Sequence, residues 1–330
     1  MFSNRKPKKN DIKSALASIP HAVIDNIIIN NGEVRAILSC DPQYASSVEI
    51  AAEQSLQAIK HVTKTQIIVT SEKKVTPSKP ANTEKIKIDA KNIIAVASGK
   101  GGVGKSTVAM NIACALAAQG KKVGLLDADI YGPSIPKMTG LSGQKPEQNK
   151  QGKIIPLHQH GVEIMSIGFM IDEASALIWR GPMVQSAFVQ LLQDVAWEGL
   201  DILVIDMPPG TGDVQLTMAQ RVPLTGAIIV STPQDIALID ARKGIEMFKK
   251  VNIPIIGLIE NMSHYCCPKC GHEDNIFGHG GAQAQAQELN IRFLGEIPLD
   301  AKIRSQADTG KPTPEFYKNI IQNMDEGLHT

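Results

Sequence analysis

A chain of 330 residues that is 43% apolar carries enough sequence for about two domains and a sizeable core. Its 34 Lys and Arg against 33 Asp and Glu leave a net charge of +1, which argues against a general nucleic-acid binder with a basic face. No long apolar run suits a membrane span, and the basic residues Arg5, Lys6, Lys8 and Lys9 lead into no apolar signal segment, so neither membrane nor secretion is expected.

The predicted elements begin with a small α+β unit over residues 1–70. Ile12 to Ile19 reads as a helix, Ala22 to Ile29 and Glu33 to Leu38 as strands, Ser46 to Ile59 as a helix and Gln66 to Val69 as a last strand. Residues 71–88 contain Pro77 and Pro80 among lysines and small polar residues and read as a linker. From 89 to 330 short, continuously apolar strands alternate with helices. Asn92 to Ala97, Val123 to Leu126, Leu200 to Ile205, Gly226 to Val230, Ile253 to Ile259 and Ile291 to Leu294 are the strands, and Asp235 to Lys250 is one of the helices. That alternation predicts an α/β domain, a mostly parallel sheet with helices on both faces and ligands at the carboxyl ends of the strands.

Between the first of these strands and a helix over Ser106 to Gln119 lies Gly99-Lys100-Gly101-Gly102-Val103-Gly104-Lys105-Ser106-Thr107. It fits G-x-x-x-x-G-K-[ST], the phosphate-binding loop of P-loop NTPases. Glycines let successive backbone N–H groups face phosphate oxygens, at a helix N-terminus whose dipole also favours anions. Lys105 is expected to reach the β- and γ-phosphates, and Ser106 to hold the Mg²⁺ that bridges them. Gly120 is placed to stop the helix.

Carboxylates stand at the ends of two other strands, in Asp127-Ala128-Asp129 and in Asp206-Met207-Pro208-Pro209-Gly210-Thr211-Gly212-Asp213. Asp206 is the first choice to support Mg²⁺, Asp129 is a candidate to orient the attacking water, and Asp127 a candidate to support the metal or phosphate shell. A strand-end carboxylate also serves simply as a helix cap or turn residue. The glycines after Asp206 suit a loop that moves as a γ-phosphate comes and goes.

Lys100 is a second lysine in a loop that usually has a neutral residue there. With it, Lys100 to Thr107 resembles the deviant Walker A motif of dimeric ATPases that include the division-site and plasmid-partition ATPases and nitrogenase iron protein. The resemblance implies a lysine at position 100 that reaches the nucleotide across a subunit interface, and ATP binding coupled to dimer closure.

The five cysteines are too few and too unevenly placed for a disulfide framework, which fits a reducing, cytoplasmic setting. Cys114 lies in the apolar helix and Cys40 stands alone, and both read as small hydrophobes. Cys267 and Cys270 form C-x-x-C just after Cys266. That spacing suits zinc, completed by His264, His272, His279 or Cys266 of the same chain, or an iron–sulfur cluster completed by the same pair of a second subunit. A redox C-x-x-C fits less well, since the segment does not resemble the opening of a thioredoxin-like helix.

The wider pattern is similar to the Mrp (ApbC-type) P-loop ATPases over about Lys91 to Pro312. The matching stretches are the phosphate loop, Asp127 to Ser134, Trp179-Arg180-Gly181-Pro182-Met183, Asp206 to Asp213, Glu260-Asn261-Met262-Ser263, the cysteine pair and Ile297-Pro298-Leu299-Asp300. The resemblance implies a homodimeric, slowly hydrolysing ATPase that takes a [4Fe–4S] cluster on Cys267 and Cys270 and exchanges it with assembly scaffolds and apo-proteins. It also implies that Asn261 helps hold adenine. Residues 1–70 resemble, less closely, the iron–sulfur assembly domain that often precedes these ATPases. Two other outputs of the same fold are a zinc-stabilised ATPase that positions cargo and an electron donor like nitrogenase iron protein. The acidic tail beyond Pro314 does not suit an anionic membrane.

Overall fold

The computed structural model describes residues 7, 9–30, 32–40, 44–70, 86–170 and 181–328, in two compact units covering 1–82 and 83–330. In the first unit, helix α1 (Lys9–Ala17) and strands β1 (Val23–Asn30) and β2 (Glu33–Ser39) precede helix α2 (Ala45–Gln57) and strand β3 (Lys64–Thr70). Strand β1 runs antiparallel and β3 parallel to β2. Alternation decides the faces. Val34, Ala36 and Leu38 of β2 are buried while Arg35 is exposed, and the helices add Ile12, Leu16, Val48, Ala52 and Leu56 at helical spacing. Cys40 closes this core as a buried, free thiol.

The second unit runs β4 (Ala90–Ala97), α3 (Lys105–Ala118), β5 (Val123–Asp127), α4 (Ile135–Met138), β6 (Leu157–Gln159), β7 (Val162–Ser166), α5 (Gly181–Gln193), β8 (Leu200–Asp206), α6 (Asp213–Arg221) and β9 (Gly226–Ser231). It continues with α7 (Asp235–Lys250), β10 (Ile255–Asn261), the short strands β11 (Tyr265–Cys266) and β12 (Glu273–Asp274), α8 (Gly281–Glu288), β13 (Phe293–Ile297), α9 (Ala301–Asp308) and α10 (Lys318–Leu328). Eight strands form one sheet in the order β13-β10-β9-β4-β8-β5-β7-β6. All its pairings are parallel except that of β6 with β7. The interior strands are apolar almost throughout because both faces are covered. Leu203, Val204 and Ile205 of β8 are all fully buried, and each contributes about 1.5–3 kcal/mol.

Helices α3 and α10 pack together on one face, while α5 to α8 pack in succession on the other. Helix α3 is apolar nearly all round, with Val108, Met110, Ile112 and Leu116 fully buried, and it ends at Gly120 with φ +84°. Strand β4 lies between β8 and β9, so the chain leaves it in one direction and later returns on the other side. Ligands in open parallel sheets bind at such a reversal, outside the carboxyl ends of the strands.

Several boundaries differ from those the sequence predicts. Strand β10 starts at Ile255 rather than Ile253, since Pro254 has no N–H for the ladder and offers only its carbonyl, to Ala227. Strand β13 lies two residues later than expected and continues through Gly295. Of the linker, residues 71–85 lie outside the described part. Ile86 is buried in the core of the second unit and its N–H bonds to Arg221.

Candidate nucleotide and cysteine sites

Strand β4 delivers the chain at Ala97 into the phosphate loop. Gly102 and Gly104 have φ of +84° and +81°, backbone that L side chains rarely adopt. A Cβ on Gly104 would also stand 2.2 Å from the Asn261 side-chain nitrogen, so the position is closed to larger residues twice over. Gly99 is small for another reason, because a Cβ there would lie 2.1 Å from the Asp240 carbonyl in α7. Gly101 and Gly102 are exposed and open, Val103 is buried behind them, and Ser106 and Thr107 are half-buried in the first turn of α3. Lys100 is half-buried.

Lys105 points inward. Its Nζ lies 2.5 Å from Asp206 Oδ1 and 3.2 Å from Ser106 Oγ, with the side chain 6% exposed. Asp206, the last residue of β8, is fully buried, and its Oδ2 has no hydrogen-bond partner among the described residues. Burial pushes its carboxyl above the usual range, while Lys105 pulls it back down. A buried carboxylate oxygen without a partner beside a serine hydroxyl is a donor set that fits Mg²⁺, a cation that takes few protein ligands and keeps several waters.

Asp127, the last residue of β5, stands directly across from Asp206 in the parallel register. Its Oδ1 accepts from the Asp129 N–H at 3.1 Å, and its Oδ2 from the Ile135 N–H at 3.2 Å and Ser166 Oγ at 3.0 Å. Both oxygens therefore anchor the loop between β5 and α4. Burial and the neighbouring Asp206 charge raise its pKa. Asp129 is half-buried beyond it, and burial raises its pKa too, against the pull of Lys105. The loop after Asp206 is tied to the strand beside it, through Met207 N–H to Val96 and Gly210 N–H to Ser98.

Asn261 ends β10 with its side chain buried, and its amide donates to the Val103 carbonyl at 2.8 Å. It thus props the phosphate loop from behind. Glu260, one residue earlier and fully buried, accepts from the Gly280 N–H at 2.9 Å and the Ala282 N–H at 2.7 Å. Its charge sits at the start of α8, where the helix dipole favours it. Pattern reading grouped Glu260 with Asn261 without giving it a role. A carboxylate at a strand end followed by Gly-Gly before a helix is the signal that was available.

Six residues past Asn261 comes Cys267, in the turn that joins β11 to β12. Cys267 N–H bonds the His272 carbonyl at 2.9 Å, and the Gly271 N–H bonds the Cys267 carbonyl at 2.8 Å, which folds Pro268-Lys269-Cys270 into a tight knuckle. The N–H groups of Lys269 and Cys270 face the Cys267 sulfur and lower its pKa. Cys266 and Cys270 are exposed, and Cys114 is buried in α3 with its thiol pushed up to about 12 by desolvation. Of the zinc candidates in the sequence, His264 and His279 come together with Glu296 and not with the cysteines. Asp300 caps α9 by accepting from the Lys302 N–H at 2.6 Å. Trp179 and Arg180 lie outside the described residues.

A strand, a glycine loop on a helix N-terminus, and a buried lysine–aspartate pair at the sheet's reversal define a P-loop NTPase. The family model described as ParA, NUBPL iron-transfer P-loop NTPase, matches residues 89–326, and the chain belongs to that family. The iron-sulfur cluster carrier protein of Haemophilus influenzae is 55% identical over 235 residues, 71% of this chain and 64% of its own length. The chain thus spans less than two thirds of that relative. The iron-sulfur cluster transfer protein NUBPL of Mus musculus is 56% identical over 224 residues, 67% of this chain and 70% of that protein. Among solved structures, a nucleotide-binding protein from Archaeoglobus fulgidus in complex with ADP is 38% identical with a TM-score of 0.62, covering 70% of this chain and 92% of its own.

Proposed function

We propose that this chain binds and slowly hydrolyses ATP and carries a [4Fe–4S] cluster for transfer to apo-proteins. The observation that carries the reading is the course of β10. Its end, Asn261, holds the phosphate loop through the Val103 carbonyl, and the same chain turns into the cysteine knuckle six residues later. A change in the phosphate loop on nucleotide binding has a short path to the thiols, one hydrogen bond and six residues of chain. The printed names of the Haemophilus and mouse relatives, cluster carrier and cluster transfer protein, support it.

In this reading the loop amides and Lys105 bind the phosphates. Ser106 and Asp206 would hold Mg²⁺, which would supply positive charge to the phosphate oxygens. Lys105 exchanges its bond to Asp206 for phosphate, and Asp129 accepts a hydrogen bond from the water that attacks the γ-phosphorus. The bond from the γ-phosphorus to the ADP oxygen breaks as the new one forms, and the attacking water's proton passes to an oxygen of the released phosphate. Lys100 supplies charge to the developing transition state across a homodimer interface, and Asn261 borders the adenine.

Cys267 and Cys270 bind the cluster as thiolates, and four such ligands need two chains. Delivery is ligand exchange. Client thiolates form Fe–S bonds as those to Cys267 and Cys270 break, the cluster keeps its electrons, and protons pass from client thiols to the carrier's. Assembly scaffolds load it by the reverse exchange. The exposed free thiols suit a reducing compartment such as the cytoplasm, and among the described residues no helix is long and apolar enough to cross a membrane.

The test is transfer itself. Cluster-loaded protein is mixed anaerobically with an apo-ferredoxin, with and without Mg-ATP, and holo-ferredoxin is followed by its circular dichroism. Transfer that depends on Cys267 and Cys270, and whose rate changes with nucleotide, supports the reading; transfer at the rate of free iron and sulfide overturns it.

A further inference from the structure

The knuckle is not the only place in this region where metal-binding side chains converge. His264 lies between β10 and β11, His279 in the loop before α8 and Glu296 on β13. One ring nitrogen from each histidine and one oxygen of Glu296 fall within 4.8 Å of one another. Two ligand atoms on one cation at about 2.1 Å from it stand roughly 3–4 Å apart. The set therefore closes with side-chain rotations, and the His279 and Glu296 side chains, 45% and 41% exposed, are free to make them.

A second observation bears on one ligand. The Ser263 hydroxyl stands 2.9 Å from His264 Nδ1 and 3.2 Å from the Ile297 carbonyl, within hydrogen-bond reach of both. With the hydroxyl proton on Ile297, the Ser263 oxygen accepts from Nδ1–H, and that tautomer leaves the His264 Nε2 lone pair for a cation. This is the outer-sphere hydrogen bond that sets the tautomer and angle of a metal-bound imidazole. Ser263 is fully buried and its N–H also bonds Ile297, so the support is rigid. His279 Nε2 and Glu296 Oε2 meet at 3.0 Å, a contact that a cation would take over by displacing a proton.

We propose that His264, His279 and Glu296 form a binding site for a divalent transition cation, distinct from the cysteine pair. Two imidazoles and one carboxylate suit zinc, ferrous iron or cobalt, and three protein ligands leave positions open for water or an incoming ligand.

The experiment removes the three knuckle thiols and leaves the buried Cys40 and Cys114 in place, so that neither success nor failure of cluster binding bears on it. Protein with Cys266, Cys267 and Cys270 all changed to Ser is dialysed to equilibrium against Zn²⁺, and bound metal is measured by atomic emission. About one zinc per chain is expected. His279→Ala and His264→Ala should each weaken binding by about 100-fold or more, and Ser263→Ala by about 10–100-fold, the range typical for loss of an outer-sphere partner. Thermal unfolding of each metal-free variant checks that it is folded, and the exposed His279→Ala is the variant least able to disturb the fold. Co²⁺ in place of zinc gives a second readout, a visible d–d absorption that disappears with His279→Ala. No stoichiometric zinc in the protein lacking the three knuckle thiols, or equal zinc in the folded His279→Ala protein, overturns the proposal.

Discussion

Lys105 Nζ meets Asp206 Oδ1 at 2.5 Å, with the two side chains 6% and 0% exposed, so the residues proposed for phosphate and for Mg²⁺ hold each other. A buried pair of this kind contributes little over an apolar substitute, but breaking it from one side leaves a buried charge with nothing to answer it. In the proposed reading, nucleotide and cation together would supply the replacement partners, phosphate for Lys105 and Mg²⁺ for Asp206.

Lys105→Ala should cost about 3–5 kcal/mol in urea unfolding without nucleotide, while Lys105→Met with Asp206→Leu should recover most of it. The cost of Lys105→Ala also has a pH dependence. Burial already holds the Asp206 pKa above its ordinary value, and losing Lys105 removes the group that lowers it. A raised carboxyl pKa means stability present at low pH and lost as pH rises through the folded value. The destabilisation should therefore grow from acid toward neutral pH. A single-variant cost below about 1 kcal/mol at neutral pH would be that of an exposed pair.

Gly104→Ala meets both a positive φ and the Asn261 amide 2.2 Å from the new Cβ. Backbone strain alone is about 1–3 kcal/mol. Adding Asn261→Ala removes the steric conflict and leaves the strain, so the double variant should be more stable than Gly104→Ala alone. Nucleotide affinity by calorimetry should fall in both variants, because each disturbs the carbonyl and amide directions of the loop.

Glu260→Gln keeps the size of the side chain but replaces one acceptor oxygen with a donor that faces the Gly280 or Ala282 N–H. Each lost bond to a charged group is worth about 1.5–3 kcal/mol. Hydrogen exchange should show faster opening at the N-terminus of α8, with β4 and β8 unaffected.

The cysteines should be distinguishable by alkylation against pH. Backbone N–H donors hold the Cys267 thiol below the ordinary cysteine range, so its thiolate persists to lower pH, and iodoacetamide labelling read by mass spectrometry should remain fast there. Cys114, buried and raised to about 12, should label only on unfolding.

Much of this was legible in sequence because the signals were local. The phosphate loop is a contiguous motif, Gly120 a helix stop, and the strands of the sheet centre continuous apolar runs, so β5, β8, β9 and α7 fall where pattern puts them. The strands β6 and β7 carry a weaker, mixed pattern at the sheet edge, and no element was assigned to them. Long-range pairings were hidden for a different reason. The contact of Asn261 with the Val103 carbonyl joins residues 158 apart, and His264, His279 and Glu296 meet only through the order β10-β13. Spacing along the chain grouped His264 with the cysteines; the fold turns it toward Glu296 instead.

The central claim is that Cys267 and Cys270 hold a cluster between two chains. Protein reconstituted anaerobically with iron and sulfide, with and without Cys267→Ala and Cys270→Ala together, should be assayed for iron, acid-labile sulfide, visible absorption and mass in solution. The account predicts a brown dimer with about four iron and four sulfide per pair of chains, lost in the double variant. Colourless protein that holds zinc through the same two cysteines, with no labile sulfide, would contradict it.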